Sequence, residues 1–245
     1  MKGYGQFCPI AVACETFAER WTPLILRELL AGSRRFNDIR QGLPLISRTL
    51  LAQRLRELQD AGVIESRPLA RGRGREYVPT RAAQEFSAVL ERLGEWGQRW
   101  GTTQFDPDNL DLVLLMWNVR RRIDLAKLPD RRVVVRFDFH SFPARCRPLQ
   151  TCWLVLERTG ADVCLKHPGF DVDLALDADA AAMARVWTGA MTWEQAVRSG
   201  GLRLTGPREL VREFPTWLLL SHFAHVERPE RRAPAPRRAP AGASR

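Results

Sequence analysis

The sequence predicts a mainly helical unit carrying one β-hairpin, followed by an α+β unit and a basic tail with no core of its own. Three observations predict this. Apolar residues recur at helical spacing before position 60 and again from Phe86 to Trp100, with two short strand-like runs around an Arg/Gly loop between them. Beyond position 130 the apolar period changes to two and alternates with helical stretches. GTTQFDPDN (101–109) gathers Gly, Thr, Asp and Pro, which break either period, and ERPERRAPAPRRAPAGASR (227–245) has no apolar period at all and reads as disordered. The expected units are therefore 7–101, 108–225 and the tail 227–245.

In the first unit, Ile10, Cys14, Phe17 and Trp21 recur at helical spacing as the stripe of a first helix. Thr22 as N-cap, with Pro23 at the first helical position, opens a second helix through residue 30, and Gly32 stops it. Phe36, Ile39 and Leu43 mark a short third helix. Ser47 caps a fourth that turns Leu51, Leu55 and Leu58 inward and stops at Gly62, with Ile46 placed to staple onto Leu51. Segments 63–69 and 75–78 are short strands joined by ARGRG, and Thr80 caps a last helix ending near Trp100.

In the second unit, Leu112, Leu115, Met116 and Val119 make one helix face. Val133, Val135, Phe137 and Phe139 alternate with Val134, Arg136, Asp138 and His140 as a strand with one buried face. CWLVLE and DVCLK are two further strands, and DVDLAL is a fourth with Val172, Leu174 and Leu176 on one side. Helices follow at 179–187 and 193–199, the latter with a Thr192/Gln195 capping box. LRLT is a short strand, and 207–223 closes as a helix with Leu210, Phe214, Trp217 and Ser221 in line.

Composition limits the class. Apolar residues make up 45% and charged residues 27%, as in an ordinary globular protein. No run reaches the roughly 18–20 apolar residues of a membrane span, and Glu15 and Glu19 interrupt the N-terminal apolar run too early for a secretory signal. Five scattered cysteines without a CxxC pair predict reduced thiols, so the expectation is a cytoplasmic protein with no membrane partner. Residues 1–104 hold 16 basic and 11 acidic side chains (+5), residues 105–226 hold 16 and 15 (+1), and the tail holds 6 and 2 (+4). A basic unit joined to a neutral one suits contact with nucleic acid through the first and with something else through the second.

The fourth helix carries the recognition chemistry. With its leucines inward, its opposite face presents Arg48, Thr49, Gln53 and Arg56 beyond the Ser47 cap, residue types that read base edges from a helix in the major groove. Arg34 and Arg35 stand at the start of the preceding helix beside a phosphate. Arg71, Arg73 and Arg75 tip the hairpin, suited to phosphate or the minor groove. Helix, turn, capped helix and Arg-tipped hairpin, in that order, make a winged helix-turn-helix that binds double-stranded DNA. Phe86, Val89, Leu93, Trp96 and Trp100 form a stripe on the last helix which, with Phe17 of the apolar first helix, suits a homodimer interface.

CPIAVACETFAERWTPLILRELLAGSRRFNDIR, SRTLLAQRLRELQDAGVIESR and REYVPT…LGEWGQRW resemble the HxlR-type winged-helix regulators, relatives of the MarR group, across about residues 7–101. The resemblance implies a DNA-binding homodimer, of bacterial type, that represses or activates genes in response to a signal. It also implies redox sensing for an N-terminal Cys in some members, matched here by Cys8. The residues around Cys8 include no Lys, Arg or His to activate it, so a small apolar residue at a helix start is the competing reading.

FDVDLALDADAAAMARVWTGAMTWEQAVRSGGLRLTGPRELVREFPTWL resembles the sterol-carrier-protein type 2-like fold, applied to 108–225. That likeness implies an apolar cavity between sheet and helices. Trp117, Phe137, Phe139, Trp153, Trp187 and Trp193 are its candidate wall, although each taken singly reads as core rather than wall. His222 and His225 lack a third ligand, so no metal is expected, and Asp171 and Asp173 read as one solvated strand face. GxSxG, P-loop, HExxH and GxGxxG motifs are absent, so neither an enzyme nor a cofactor is expected. The leading reading is a ligand-responsive, repressor-type DNA-binding regulator. The alternative is a hydrophobic-ligand or lipid carrier whose basic unit serves for anchoring or dimerisation; the groove-facing Arg48/Thr49/Gln53/Arg56 set separates them, because a carrier has no use for it.

Overall fold

The computed structural model describes residues 3–69, 73–101, 110–142, 144–227 and 229. The hairpin tip, including Arg71, the expected break at 102–109 and most of the expected tail lie outside the described residues.

The first unit opens with α1 (Pro9–Phe17) and α2 (Thr22–Leu30). The apolar spacing predicted that α1 would run on to Trp21, but Trp21 sits at φ 79° as the N-cap of α2, and Ile10 is 74% exposed. The expected Thr22 cap is displaced by one residue: Trp21 holds the N-cap position without a side-chain capping bond, and Thr22 is buried as the first helical residue. α3 (Phe36–Gln41) and α4 (Arg48–Asp60) follow, with the Ser47 hydroxyl accepting from the Leu50 amide at 3.1 Å as expected. Gly62, at φ 69°, ends α4 in the left-handed conformation that glycine tolerates. β1 (Ile64–Pro68) and β2 (Arg75–Pro79) pair antiparallel, and β2 is fastened to the entry of α3 by an Arg35–Glu76 bridge and a Tyr77 amide bond to the Arg34 carbonyl. α5 (Arg81–Trp100) starts at Thr80, whose hydroxyl donates to the Gly62 and Val63 carbonyls and so ties the hairpin base rather than capping the helix. Ile25, Leu26, Leu29, Ile39, Leu51, Leu55, Leu58 and Ile64 form this unit's core.

The second unit is α+β. α6 (Leu112–Arg121) precedes a five-stranded sheet of β3 (Val133–His140), β4 (Thr151–Glu157), β5 (Gly160–Cys164), β6 (Leu174–Asp179) and β7 (Leu202–Thr205), in spatial order β5-β4-β3-β6-β7. Only the β3–β6 pair is parallel. α7 (Ala180–Trp187), α8 (Trp193–Arg198) and α9 (Arg208–Trp217) complete it. The alternation read for β3 holds: Val133, Val135, Phe137 and Phe139 join Cys152, Leu154, Leu156, Leu174 and Leu176 in a core with α6, α7 and α9. The Thr192/Gln195 capping box forms in both directions.

Two expected boundaries move. β6 begins at Leu174, not Asp171, because Asp173 accepts from the Val134 amide at 2.8 Å and from Arg131 at 2.8 Å, placing a carboxylate where the ladder would continue. The solvated-face reading of Asp173 therefore gives way to a structural one. α9 runs two residues past Pro215 and ends at Trp217, where Leu218 turns extended to bridge Ile123 and Leu219 gives its amide to the Arg122 carbonyl. Leu210, Phe214 and Trp217 are buried as expected, while Ser221 lies beyond the helix and donates its amide to the Trp187 carbonyl. Among the described residues no helix is long and apolar enough to cross a membrane.

Candidate nucleic-acid interface

α4 divides cleanly into two faces. Leu51, Leu55 and Leu58 are at most 1% exposed, while Ser47, Arg48, Thr49, Gln53 and Arg56 all face solvent. Among the described residues Arg48 and Arg56 make no ion pair, so one free guanidinium stands at the exposed start of α4 and another on its outer face. Arg54, by contrast, is spent on Glu57 at 2.6 Å and Glu19 at 2.7 Å, pinning α4 to the turn between α1 and α2. Gln53 donates to Glu57 at 2.9 Å. Burial would raise the Glu57 carboxyl, but bonds from Arg54 and Gln53 together with the Arg54 charge outweigh it and hold the group below the usual carboxylate range. Gln53 thus spends one amide N–H on Glu57 and keeps its other N–H and its carbonyl oxygen on the exposed side of α4.

The other expected contacts sort differently. Arg35 and Arg73 are exposed. Arg34, expected beside a phosphate, instead donates to the Leu29 and Ser33 carbonyls and closes the end of α2. Arg75 is no free tip residue: it bonds the Ser66 hydroxyl at 2.6 Å and the Ser66 carbonyl at 2.8 Å as a strut across the hairpin.

Sequence reasoning missed the group under the turn between α3 and α4. Glu28 is 1% exposed and accepts from Arg27 at 2.9 Å and from Arg121 of α6 at 2.8 Å, with the Ser33 hydroxyl at 3.4 Å. A Cβ on Gly42 would lie 2.0 Å from a Glu28 carboxylate oxygen, so only glycine lets the turn settle there. Arg121 also donates to Ser33 at 2.7 Å and lies 4.7 Å from the Trp117 ring centroid. The second unit is thereby bonded to the base of the helix-turn-helix.

The expected dimer stripe splits. Phe17 and Phe86 stack on each other at 3.7 Å within the first unit, so they pack on their own unit. Val89, Leu93, Trp96 and Trp100 are 52–61% exposed along α5, and Ile10 and Val12 of α1 are also exposed.

The six candidate effector-wall residues do not surround one space. Phe137 and Phe139 are sealed in the core, and Trp187 is 9% exposed within it. Trp153 lies on the other face of the sheet, since Phe137 pairs with Cys152 and Trp153 with Arg136; it makes an edge contact with His167. Trp117 and Trp193 line two different surface clefts.

Cys8 is exposed at the N-cap of α1, where backbone amides, Ala11 first and then Ile10, hold its thiol below the ordinary value. No basic side chain was needed for this; the amides of a helix start suffice. Cys152 is the opposite case, pushed up to about 12 by burial, then by Asp138 and Cys164.

Residues 16–105 match the family model described as HxlR-like helix-turn-helix. The HTH-type transcriptional regulator YvaP of Bacillus subtilis is 32% identical over 108 residues, spanning 43% of this chain and 96% of that protein. The HTH-type transcriptional regulator YodB of the same organism is 30% identical over 95 residues, spanning 38% of this chain and 85% of YodB. The solved structure of YodB from B. subtilis in its reduced form aligns with a TM-score of 0.36 at 28% identity, covering 40% of this chain and 97% of that one.

Proposed function

Because this chain belongs to the HxlR-like helix-turn-helix family of transcriptional regulators, we propose that it binds double-stranded DNA as a repressor-type homodimer and answers to an apolar small molecule held by its second unit. One observation carries the DNA reading: α4 buries Leu51, Leu55 and Leu58 and leaves Arg48, in its first turn, and Arg56 exposed and, among the described residues, without ion pairs. Arg48 and Thr49 in the first turn, with Gln53 and Arg56 further along, read base edges, while Ser47 sets the helix start. Arg35 and Arg73 contact phosphate, with Arg71 of the ARGRG loop in support, while Arg75 braces the hairpin through Ser66.

The second copy packs on the α5 stripe of Val89, Leu93, Trp96 and Trp100, four large apolar side chains that water would otherwise cover. We place the DNA-binding domain at 7–101 and the effector domain at 108–225, the latter of the sterol-carrier-protein-like type. Support for that type is a five-stranded sheet with α6, α7 and α9 packed on one face. Cys8 joins the reading as the candidate redox residue, on the strength of its exposed, helix-activated thiol.

The experiment is selection of bound sequences from a random DNA pool, followed by affinity measurements over a salt series. Arg73→Ala should weaken all sequences alike and flatten the slope of log K against log salt by about 1. Arg48→Ala should instead lose preference at particular base pairs, by about 1–3 kcal/mol. Uniform weakening by Arg48→Ala would move the reading face off α4.

A further inference from the structure

The second unit carries a cleft of about 380 Å³ between the end of α7, the turn into α8 and the end of α9, with Val186, Met191, Trp193, Pro215, Leu218 and Leu220 among its walls. This volume falls in the range of about 300–1,000 Å³ typical of small-molecule sites. Among its lining residues Glu194 alone is ionisable, and none is basic. Glu194 faces solvent at the rim of the cleft, where bonds from its own backbone amide and from the Thr192 hydroxyl hold its carboxyl below the usual range. An apolar acid is repelled there; a neutral apolar molecule is not.

Leu218 and Leu220 belong to the strap that follows α9. Leu219 donates its amide to the Arg122 carbonyl at 2.9 Å, and Arg122 returns a bond from Nε to the Leu220 carbonyl at 3.0 Å. Between these bonds Leu220 is held at φ 52°, a left-handed conformation uncommon for leucine and concentrated in proteins at ligand clamps and switches. The strap then crosses to α5. Ser221 bonds the Trp187 carbonyl, His222 lies 2.9 Å from Glu91, and the Phe223 ring packs so closely that a Cβ on Gly94 would come within 2.1 Å of it. Beside it Gln98 donates to the carbonyl of Thr188, next to the cleft-lining Gly189.

We infer that this cleft binds a neutral apolar small molecule and that the strap 218–226 passes its occupancy to α5, the helix whose outer face carries the exposed apolar stripe. This deepens, and rests on, the reading of the second unit as the effector domain. A molecule seated against Leu218 and Leu220 fixes a segment that is bonded both beside the cleft, through Arg122 and Trp187, and to α5. Coupling of this kind needs only that the cleft bind one arrangement of the strap better than another.

The test uses the full chain and N-phenyl-1-naphthylamine, a neutral probe whose fluorescence rises on leaving water. Thr216 lines the cleft and faces solvent, so Thr216→Phe fills the space without burying strain; it should lower probe affinity at least ten-fold, while Thr216→Ser binds as the parent does. 1-Dodecanol should displace the probe at a concentration at least ten-fold below that of dodecanoate. Hydrogen exchange should slow at 218–223 and change at 91–98 when the probe binds. Phe223→Ala should keep probe affinity within two-fold and lose the response at 91–98. A probe that binds elsewhere in 110–227, or is indifferent to Thr216→Phe, overturns the cleft but leaves the effector domain standing; no binding at all overturns both. Persistence of the α5 response in Phe223→Ala overturns the strap.

Discussion

Arg121→Met, taken with Glu28→Gln in a double-mutant cycle, tests how the second unit is fastened to the helix-turn-helix. Glu28 is 1% exposed and is shared by Arg27, whose side chain is 41% exposed, and Arg121, at 18%. The less hydrated partner contributes more, because water cannot replace it. Removing one partner of a buried pair costs about 3–5 kcal/mol when the remaining charge has no other support. Here Arg27 and Ser33 stay on Glu28, so the loss falls to that of a charged hydrogen bond plus the contact with Trp117, about 2–3 kcal/mol for Arg121→Met. Glu28→Gln strands the Arg121 charge and should cost about 2 kcal/mol. The double variant holds neither stranded charge, so it should lose less than the sum, with a coupling of about 2 kcal/mol. The assay is urea unfolding at constant m, read as shifts in midpoint. Additivity within about 0.5 kcal/mol would refute the shared-charge account, since that is how independent sites behave.

Trp96→Glu places a charge in the middle of the exposed α5 stripe, and should convert a dimer to a monomer of unchanged helicity, seen by light scattering and circular dichroism. Iodoacetamide should label Cys8 with a rate that rises with pH and reaches half its maximum below the pH of a free cysteine, because its lowered pKa exposes thiolate sooner; Cys152, held protonated to about 12 by burial, should react only on unfolding.

What the sequence showed well was local. The inward leucines of α4, its Ser47 cap and the Thr192/Gln195 box are set by neighbours within a few residues, and each formed as read. What it hid was set at long range. Glu28, inside LRELL, reads like any helix-surface acid; only Arg121, from beyond the whole first unit, reveals it as a buried anchor. Apolar richness in the second unit likewise carried no address. The strand register puts Phe137 against Cys152 on the inner face and Trp153 against Arg136 on the outer, so residues of similar chemistry went to opposite sides of the sheet. Arg75 looked identical to Arg73 until the pairing of β2 with β1 set Ser66 within its reach.

The positions of the inter-unit bonds constrain how an effector could act on DNA. They run from Arg121 to Glu28 and Ser33, from Gln98 to Thr188 and from His222 to Glu91, on α2, on the turn after it and on α5, while the outer face of α4 stays open to solvent. A bound molecule therefore has no need to uncover or cover the reading face. The route we propose is the geometry of the dimer: α5 carries both the strap contacts and the apolar stripe, so a shift at Gly94 moves the surface proposed for the second copy. Two reading helices must sit about 34–36 Å apart, one turn of DNA, to engage successive half-sites. A displacement at α5 then weakens binding to a paired site while leaving a single half-site untouched. The neutral probe should accordingly alter affinity for a two-half-site duplex and not for a single half-site, and the effect should vanish in Trp96→Glu. An equal effect on the single half-site would place the signal in α4 itself and remove dimer geometry from the mechanism.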